Sequence, residues 1–365
     1  MRRPNRRDVT PDSISNPEYL NPGWLTSQLS EQGHLPSGEV LRITPGQSFE
    51  STAAFLTPLT VTYSHDAPAS APLQLIVKIY REDWYGGGLA EAVFYQEFVA
   101  AMPAAPVVTC YDVTIVPEHC YCRFVFQDIS KTHALPAGTP SQAQLEKIVD
   151  GLLQFHTKWW EHPRISRSDF FGKAGGPLRM THATKESTFL AYCQHIARGF
   201  SAFADDLGDE LPGEWRQLCE RAIAVWPSLF LNRVSSGKAL TFIHGDFGLW
   251  NIYLPHNSKT HRLCFLDWET YKRSIGVYDL AYMLITADHL GDLDIRNRLE
   301  AQLLRRYHDG LLAQGIADYD WDDCRYDYRL SVIANLFPPV GWQRLRSLQA
   351  AITAFHEWGC AELLD

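Results

Sequence analysis

Three side chains in the stretch FIHGDFGLWNIYL, followed by CFLDWE, carry the sharpest chemical signal in this chain. They are Asp246 and Asn251 within one H-x-D-x-x-x-x-N run that starts at His244, and Asp267 sixteen residues beyond Asn251. Moving a phosphoryl group from a nucleoside triphosphate needs a carboxylate that orients the attacking hydroxyl and takes its proton. It also needs oxygen ligands that hold Mg²⁺ against the phosphates. An Asp and an Asn on one loop can serve as base and metal ligand, and an Asp at the end of the next strand completes the clamp. Apolar flanks (TFI, NIYL, LCFL) predict a strand–loop–strand frame for them. The competing reading is a polar turn between two buried strands. A metal-hydrolase reading of His244 and Asp246 lacks further His or Asp ligands at usable spacing.

A second signal is Lys78, in the middle of the apolar run LIVKIY. Such a lysine must aim its ammonium at an anion or at solvent. In a nucleotide site it pairs with the α/β-phosphates and a helix carboxylate. Glu91 is the first candidate for that carboxylate and Glu97 the second; the bland alternative places Lys78 on the exposed face of an edge strand. A third signal is TPGQSFESTAAF, residues 44–55, read as a turn that could close over phosphates with backbone N–H groups, with Ser48 as its candidate nucleotide contact. It holds one glycine, Gly46, so an ordinary hairpin fits it equally well.

The elements that must position these groups divide the chain in two. NPGWLTSQLSEQG reads as a short capped helix behind a polar tail, together residues 1–34. From 35 to 130 the pattern is mostly strand: VLRIT, TAAFLTPLTVTY, LQLIVKIY, VVTCYDV and CYCRFVF, rich in β-branched and aromatic residues. LAEAVFYQEFVAAM interrupts them with helical spacing, Leu89, Val93, Phe94 and Phe98 on one face and Glu91 elsewhere. The order predicts a five-stranded antiparallel sheet carrying one main helix. QDISKTHALPAGTPS suits a connector. Residues 131–365 then read as mainly helical, with a small β insertion at about 240–267. The fold class is α+β.

With 365 residues the chain has room for two lobes, and its 45% hydrophobic and 21% charged residues exclude global disorder. A net charge of −9 speaks against a nucleic-acid scaffold built on net positive charge and leaves only a local basic groove open. No apolar run is long enough for a membrane span, and the basic start has no apolar core behind it. The eight scattered cysteines suggest reduced thiols in the cytoplasm. Only Cys120 and Cys122 approach a zinc pattern, and a strand residue with its neighbour-but-one is the simpler account.

As a set, HGDFGLWN, FLDWE and GVYDLAYML, with IVK and EAVFY upstream, resemble the aminoglycoside phosphotransferase and choline/ecdysteroid kinase-like superfamily. QFHTKWW resembles a His-containing helix of the same group. The resemblance spans roughly residues 35–365. It implies the bilobal protein-kinase-like fold with Mg²⁺-ATP in the cleft between lobes. It further implies Asp246 as base, Asn251 and Asp267 as magnesium ligands, and Lys78 with Glu91 as the phosphate-anchoring pair. FVFQDIS matches the hinge strand, so the backbone of Gln127 and Ile129 would meet adenine. Asp279 would hydrogen-bond back to the catalytic loop, and His244 would brace it. GTP stays open beside ATP, since a hinge that bonds through backbone need not discriminate. The chain departs from protein kinases: it has no H-R-D, D-F-G or A-P-E and no activation segment between Asp267 and Gly276. That favours a small-molecule alcohol as acceptor over a peptide.

No motif selects the acceptor, and oligomeric state is not legible. ADYDWDDCRYDYRL interleaves Asp318, Asp320, Asp322, Asp323 and Asp327 with aromatics, which could hold a cation; a solvated helix start explains it as well. Trp250 lies inside the catalytic loop and must sit close to the transferred phosphate or the acceptor. A silent pseudokinase or nucleotide-binding module on the same fold, and a helical interaction protein, are the other classes. The intact Lys78, Asp246 and Asp267 speak against both.

Overall fold

The computed structural model describes residues 18–166, 186–287 and 293–365. The polar tail read over about the first fifteen residues lies outside the described residues. The chain forms two compact units. One is the chain up to Tyr95 with Val108–Lys131; the other is Gln96–Val107 with Thr132–Asp365.

The first unit begins with α1, Pro22–Glu31. Asn21 caps it by accepting from the Trp24 N–H at 3.1 Å, and Pro22 opens its first turn. The strands are β1 (Val40–Pro45), β2 (Phe49–Glu50), β3 (Ala54–Tyr63), β4 (Gln74–Tyr80), β5 (Cys110–Val116) and β6 (Tyr121–Gln127). They make one antiparallel sheet in the order β1-β3-β4-β6-β5, with β2 also on β3. The five expected strands are thus present, and the two-residue β2 is the addition. Period-2 alternation splits the faces. Leu75 and Val77 of β4 join Leu59, Val61 and Val125 under Leu25 and Leu29 of α1. Each such side chain contributes about 1.5–3 kcal/mol on burial.

Lys78 and Tyr80 follow the other parity and face α2, Tyr85–Val93. This helix starts earlier than its apolar spacing suggested, running through Gly86, Gly87 and Gly88. Glycine is poor in helix interiors, but close approach requires one here. A Cβ on Gly88 would sit 2.8 Å from the Cys122 Cβ and 2.9 Å from the Tyr80 ring. Glu91, expected away from the apolar face, is buried with Ala90 and Ala92. A π turn, Phe94–Phe98, follows, and the chain passes to the second unit within it.

In the second unit Phe98 packs 5.0 Å from Trp159 and 4.3 Å from Phe242, ring to ring. After β7 (His133–Ala134), α3 runs Gln142–Trp159 behind a capping box of Ser141 and Gln144. Next come α4 (Glu186–Leu207), α5 (Gly213–Val234), β8 (Thr241–Ile243), β9 (Ile252–Pro255), β10 (Cys264–Phe265) and β11 (Lys272–Ser274). The helices α6 (Val277–Thr286), α7 (Leu293–Ala313), α8 (Trp321–Ala334), α9 (Pro338–Trp342) and α10 (Leu345–Glu357) complete the unit. The β insertion is two antiparallel pieces: β10-β9-β7 and β11-β8. Sequence reading missed β7 and β11, which are two and three residues long and too polar to show a strand period. The whole of α6 from Val277 to Ile285 is buried, so its first-turn Asp279 is buried with it.

The acid-rich start of α8 is structural. Asp320 caps the helix by accepting from the Asp323 N–H, and Trp321 lies under the Arg305 guanidinium at 3.7 Å. Asp327 is fully buried and accepts from Arg233 Nε at 2.6 Å, Arg233 Nη2 at 2.7 Å and the Tyr319 hydroxyl at 2.9 Å. The partners are a partly buried arginine and a phenol, so this stretch is a helix start, as its simpler reading held.

Candidate active site

Pairing in the β insertion sets the geometry. Ile252 lies opposite Phe265, and the Leu266 N–H bonds the Asn251 carbonyl at 2.9 Å. Asn251 therefore ends one strand where Asp267 begins to leave its neighbour, at the same end of the ribbon. Asp267 holds φ +67°, ψ +59°, a left-handed conformation that costs a non-glycine residue about 1–3 kcal/mol. Such strain persists where the surroundings over-determine it.

Asp246 lies against Asn251. The Asn251 amide donates to its backbone carbonyl at 2.9 Å and its Oδ2 at 3.1 Å. Trp250 Nε1 approaches Oδ2 at 3.4 Å, and the Tyr282 hydroxyl donates to Oδ1. Burial pushes the Asp246 carboxyl up. The Tyr282 hydrogen bond pulls it down, and the Asp267 charge adds to the rise. Tyr282, from α6, was not singled out in the sequence. Its signal was its place one turn after Asp279 on an apolar helix.

The loop is held from below. Asp279, fully buried, accepts the backbone N–H of His244 at 2.7 Å and of Gly245 at 2.9 Å, with His156 Nε2 at 3.4 Å. The Gly245 backbone has φ +86°, and a Cβ there would sit 2.6 Å from the Thr270 carbonyl oxygen. Only glycine fits that spot. His244, fully buried, takes the Asp246 N–H on Nδ1 at 3.3 Å, so its Nε2 carries the proton given to the Leu266 carbonyl at 2.9 Å. It thereby ties the loop to the strand end that carries Asp267.

In the first unit, Lys78 lies at the centre of the sheet, between Leu56 of β3 and Phe124 of β6, which removes the edge-strand alternative. Its Nζ meets Glu91 Oε2 at 2.9 Å and lies 4.6 Å over the Tyr80 ring, while the Tyr80 hydroxyl donates to the same carboxylate at 2.9 Å. Glu97 is exposed and pairs with Arg164 instead. The 44–55 stretch is not one turn. Gly46–Ser48 link β1 to β2 along the edge of β3, and the reversal comes at Ser51–Ala53. Ser48 Oγ bonds Thr57 Oγ1 at 2.8 Å within that edge. The Gln127 N–H donates to the Thr109 carbonyl at 2.9 Å, so that donor is spent inside the unit. Ile129 is buried.

Two carboxylates and an amide form a hard-oxygen donor set of the kind magnesium takes. The fit has a specific basis: the Asn251 amide nitrogen reaches two oxygens of Asp246, so its own oxygen points elsewhere, and the Asp267 charge acts on the Asp246 carboxyl. Cys122, half of the zinc candidate, is buried against Gly88 with its thiol pushed up to about 12.

Several solved structures are similar in fold. A variant of aminoglycoside 2'-phosphotransferase-IIIa with GDP matches at 11% identity and TM-score 0.49, covering 94% of this chain and 98% of that one. Spectinomycin phosphotransferase with ADP and spectinomycin matches at 10% and 0.42, covering 94% and 97%. A choline/ethanolamine kinase family protein from Mesorhizobium loti matches at 14% and 0.37, covering 84% and 92%. No curated protein matches in sequence. The antiparallel sheet with its helix and the helical second unit are the α+β, protein-kinase-like fold expected from the motifs. The model of the phosphotransferase enzyme family APH matches residues 62–326, from the end of β3 into α8, and the chain belongs to that family.

Proposed function

We propose that this phosphotransferase moves the γ-phosphoryl group of ATP to a hydroxyl of a small molecule. Asp246 acts as base. Its carboxylate takes the hydroxyl proton as the acceptor oxygen bonds to Pγ, and the bond from Pγ to the β,γ-bridging oxygen breaks to release ADP. Asn251 and Asp267 would hold Mg²⁺, which neutralises charge on the phosphate oxygens. Lys78, fixed by Glu91 and Tyr80, would anchor the α/β-phosphates. Asp279 and His244 position the loop so that Asp246 needs no rearrangement to act. GTP remains a second donor. The observation that carries this reading is Asp246 bonded to Asn251 and set beside Asp267 on a loop pinned from below. No observation favours a catalytically silent fold.

The test is calorimetry of nucleotide binding with and without Mg²⁺, followed by ADP release across a panel of alcohols. Mg²⁺-dependent ATP or GTP binding with acceptor-dependent ADP release is expected. No Mg²⁺-dependent binding of either nucleotide would overturn the reading.

A further inference from the structure

Beside the catalytic loop stands an exposed aromatic wall that the phosphoryl-transfer roles leave unused, with Trp250 from the loop and Trp342 from the end of α9. Trp250 and Trp342 are 41% and 36% exposed, although both are large apolar side chains. Their rings stand 6.0 Å apart at 82°. Each also contacts the buried Tyr282 ring, Trp250 at 6.1 Å and 69°, Trp342 at 6.0 Å and 87°. Tyr282 in turn donates to the Asp246 carboxylate. The base therefore stands at the foot of a corner made by three nearly perpendicular rings.

Trp250 is seated, not loose. The Cβ position of Gly248 falls 2.3 Å from its Cε2 and Cζ2 atoms, so the indole lies on the bare α-carbon of that glycine. Its Nε1 approaches Asp246 Oδ2 at 3.4 Å. A side chain at position 248 would lift the indole from its place. This gives a reason for glycine at a position whose φ of −79° does not demand one.

We propose that Trp250, Trp342 and Tyr282 form the acceptor subsite, and that the acceptor carries its reactive hydroxyl beside a flat apolar ring face. The inference rests on the phosphotransferase reading above and names its substrate class. Ring centroids about 6 Å apart put the three rings in mutual contact, so they form one continuous apolar surface. What the corner offers is the outward indole faces, which gain most from covering apolar area beside the base.

The test uses four alcohols, 2-phenylethanol, a hydroxysteroid, choline and kanamycin, against wild type, Trp342→Ala, Trp342→Phe and Trp250→Ala. Binding is read by intrinsic tryptophan fluorescence, turnover by ADP release, and Mg²⁺-ATP affinity by calorimetry in each variant. We expect 2-phenylethanol or the hydroxysteroid, the two ring-bearing alcohols with an apolar ring face, to bind and turn over best. Trp342→Ala should raise its KM about tenfold or more, Trp342→Phe should restore much of it, and the ATP affinity should not move. The inference is overturned if choline or kanamycin has the highest kcat/KM, if no ring-bearing alcohol changes the fluorescence, or if Trp342→Ala leaves the ring alcohol's KM unchanged. Failure of wild type to bind Mg²⁺-ATP would overturn the underlying phosphotransferase reading. Calorimetry detects that without any acceptor.

Discussion

Asp279→Ala probes how the catalytic loop is held. In the native chain this fully buried carboxylate accepts two backbone N–H groups, from His244 at 2.7 Å and Gly245 at 2.9 Å. Alanine leaves both donors buried without an acceptor, at about 1–3 kcal/mol each. Removing a buried charge returns part of that, because the carboxylate no longer has to be desolvated. A net loss of about 2–4 kcal/mol follows. For a unit of this size 1 kcal/mol moves the melting temperature by about 2–4 °C, so a fall of about 4–16 °C is expected. Turnover should fall too, since the left-handed Gly245 backbone and Asp246 beside it lose their anchor. Circular dichroism melts and ADP-release assays read the two effects. A variant that melts within about 1 °C of wild type and keeps full turnover would refute the argument that Asp279 sets the loop.

Two further perturbations separate the remaining parts. Glu91→Gln removes the charge paired with Lys78; breaking a buried pair costs about 3–5 kcal/mol when the remaining charge is left uncompensated, and the amide, which can still accept, should cost less. The KM for ATP should rise, while a KM unchanged from wild type would remove Glu91 from the phosphate anchor. Tyr282→Phe deletes a hydrogen bond that lowers the Asp246 pKa, whereas burial already holds it above the ordinary carboxylate value. A base works when deprotonated, so activity is present above its folded pKa and lost as pH falls through it. The acid limb of kcat/KM should therefore move to higher pH in Tyr282→Phe, and a limb that stays in place or moves down contradicts the assignment. By linkage, the folded chain holds this proton more tightly than the unfolded one. Asp246 thus contributes stability in acid that is lost as pH rises, and Asp246→Asn should flatten that dependence in melts taken across pH.

Much of this was legible in the residues because chemistry and period coincide there. Asp246, Asn251 and Asp267 could be brought together in advance because apolar strands flank a loop of fixed length. Lys78 pairs with Glu91 in sequence only as the nearest helix carboxylate and through the resemblance, because alternation in β4 fits an exposed edge strand equally well. The sequence was less informative where tertiary approach overrides local preference. Gly88 in the first turns of α2 is needed because its backbone lies against Cys122 and Tyr80, which no helix propensity reveals. Ser48 and the Gln127 N–H are spent on Thr57 and Thr109, partners 9 and 18 residues away by number, set by sheet register alone. Tyr282 escaped notice because an apolar helix hides a phenol among its neighbours. The Asp-rich start of α8 reads in sequence as a capped helix start, and Arg233, 94 positions before Asp327, is the partner that sequence does not reveal.

The central claim is that Asp246 serves the transition state while Asp267 serves the metal–nucleotide complex. The most direct measurement is kcat beside the Mg²⁺-ATP dissociation constant for Asp246→Asn and Asp267→Asn, with melts to confirm folding. Asp246→Asn should cut kcat by roughly 10² or more while Mg²⁺-ATP still binds. Asp267→Asn should weaken Mg²⁺-dependent nucleotide binding as well as turnover. Near-wild-type turnover by Asp246→Asn would contradict the account, and so would loss of folding in both variants, which would make the pair a structural polar network.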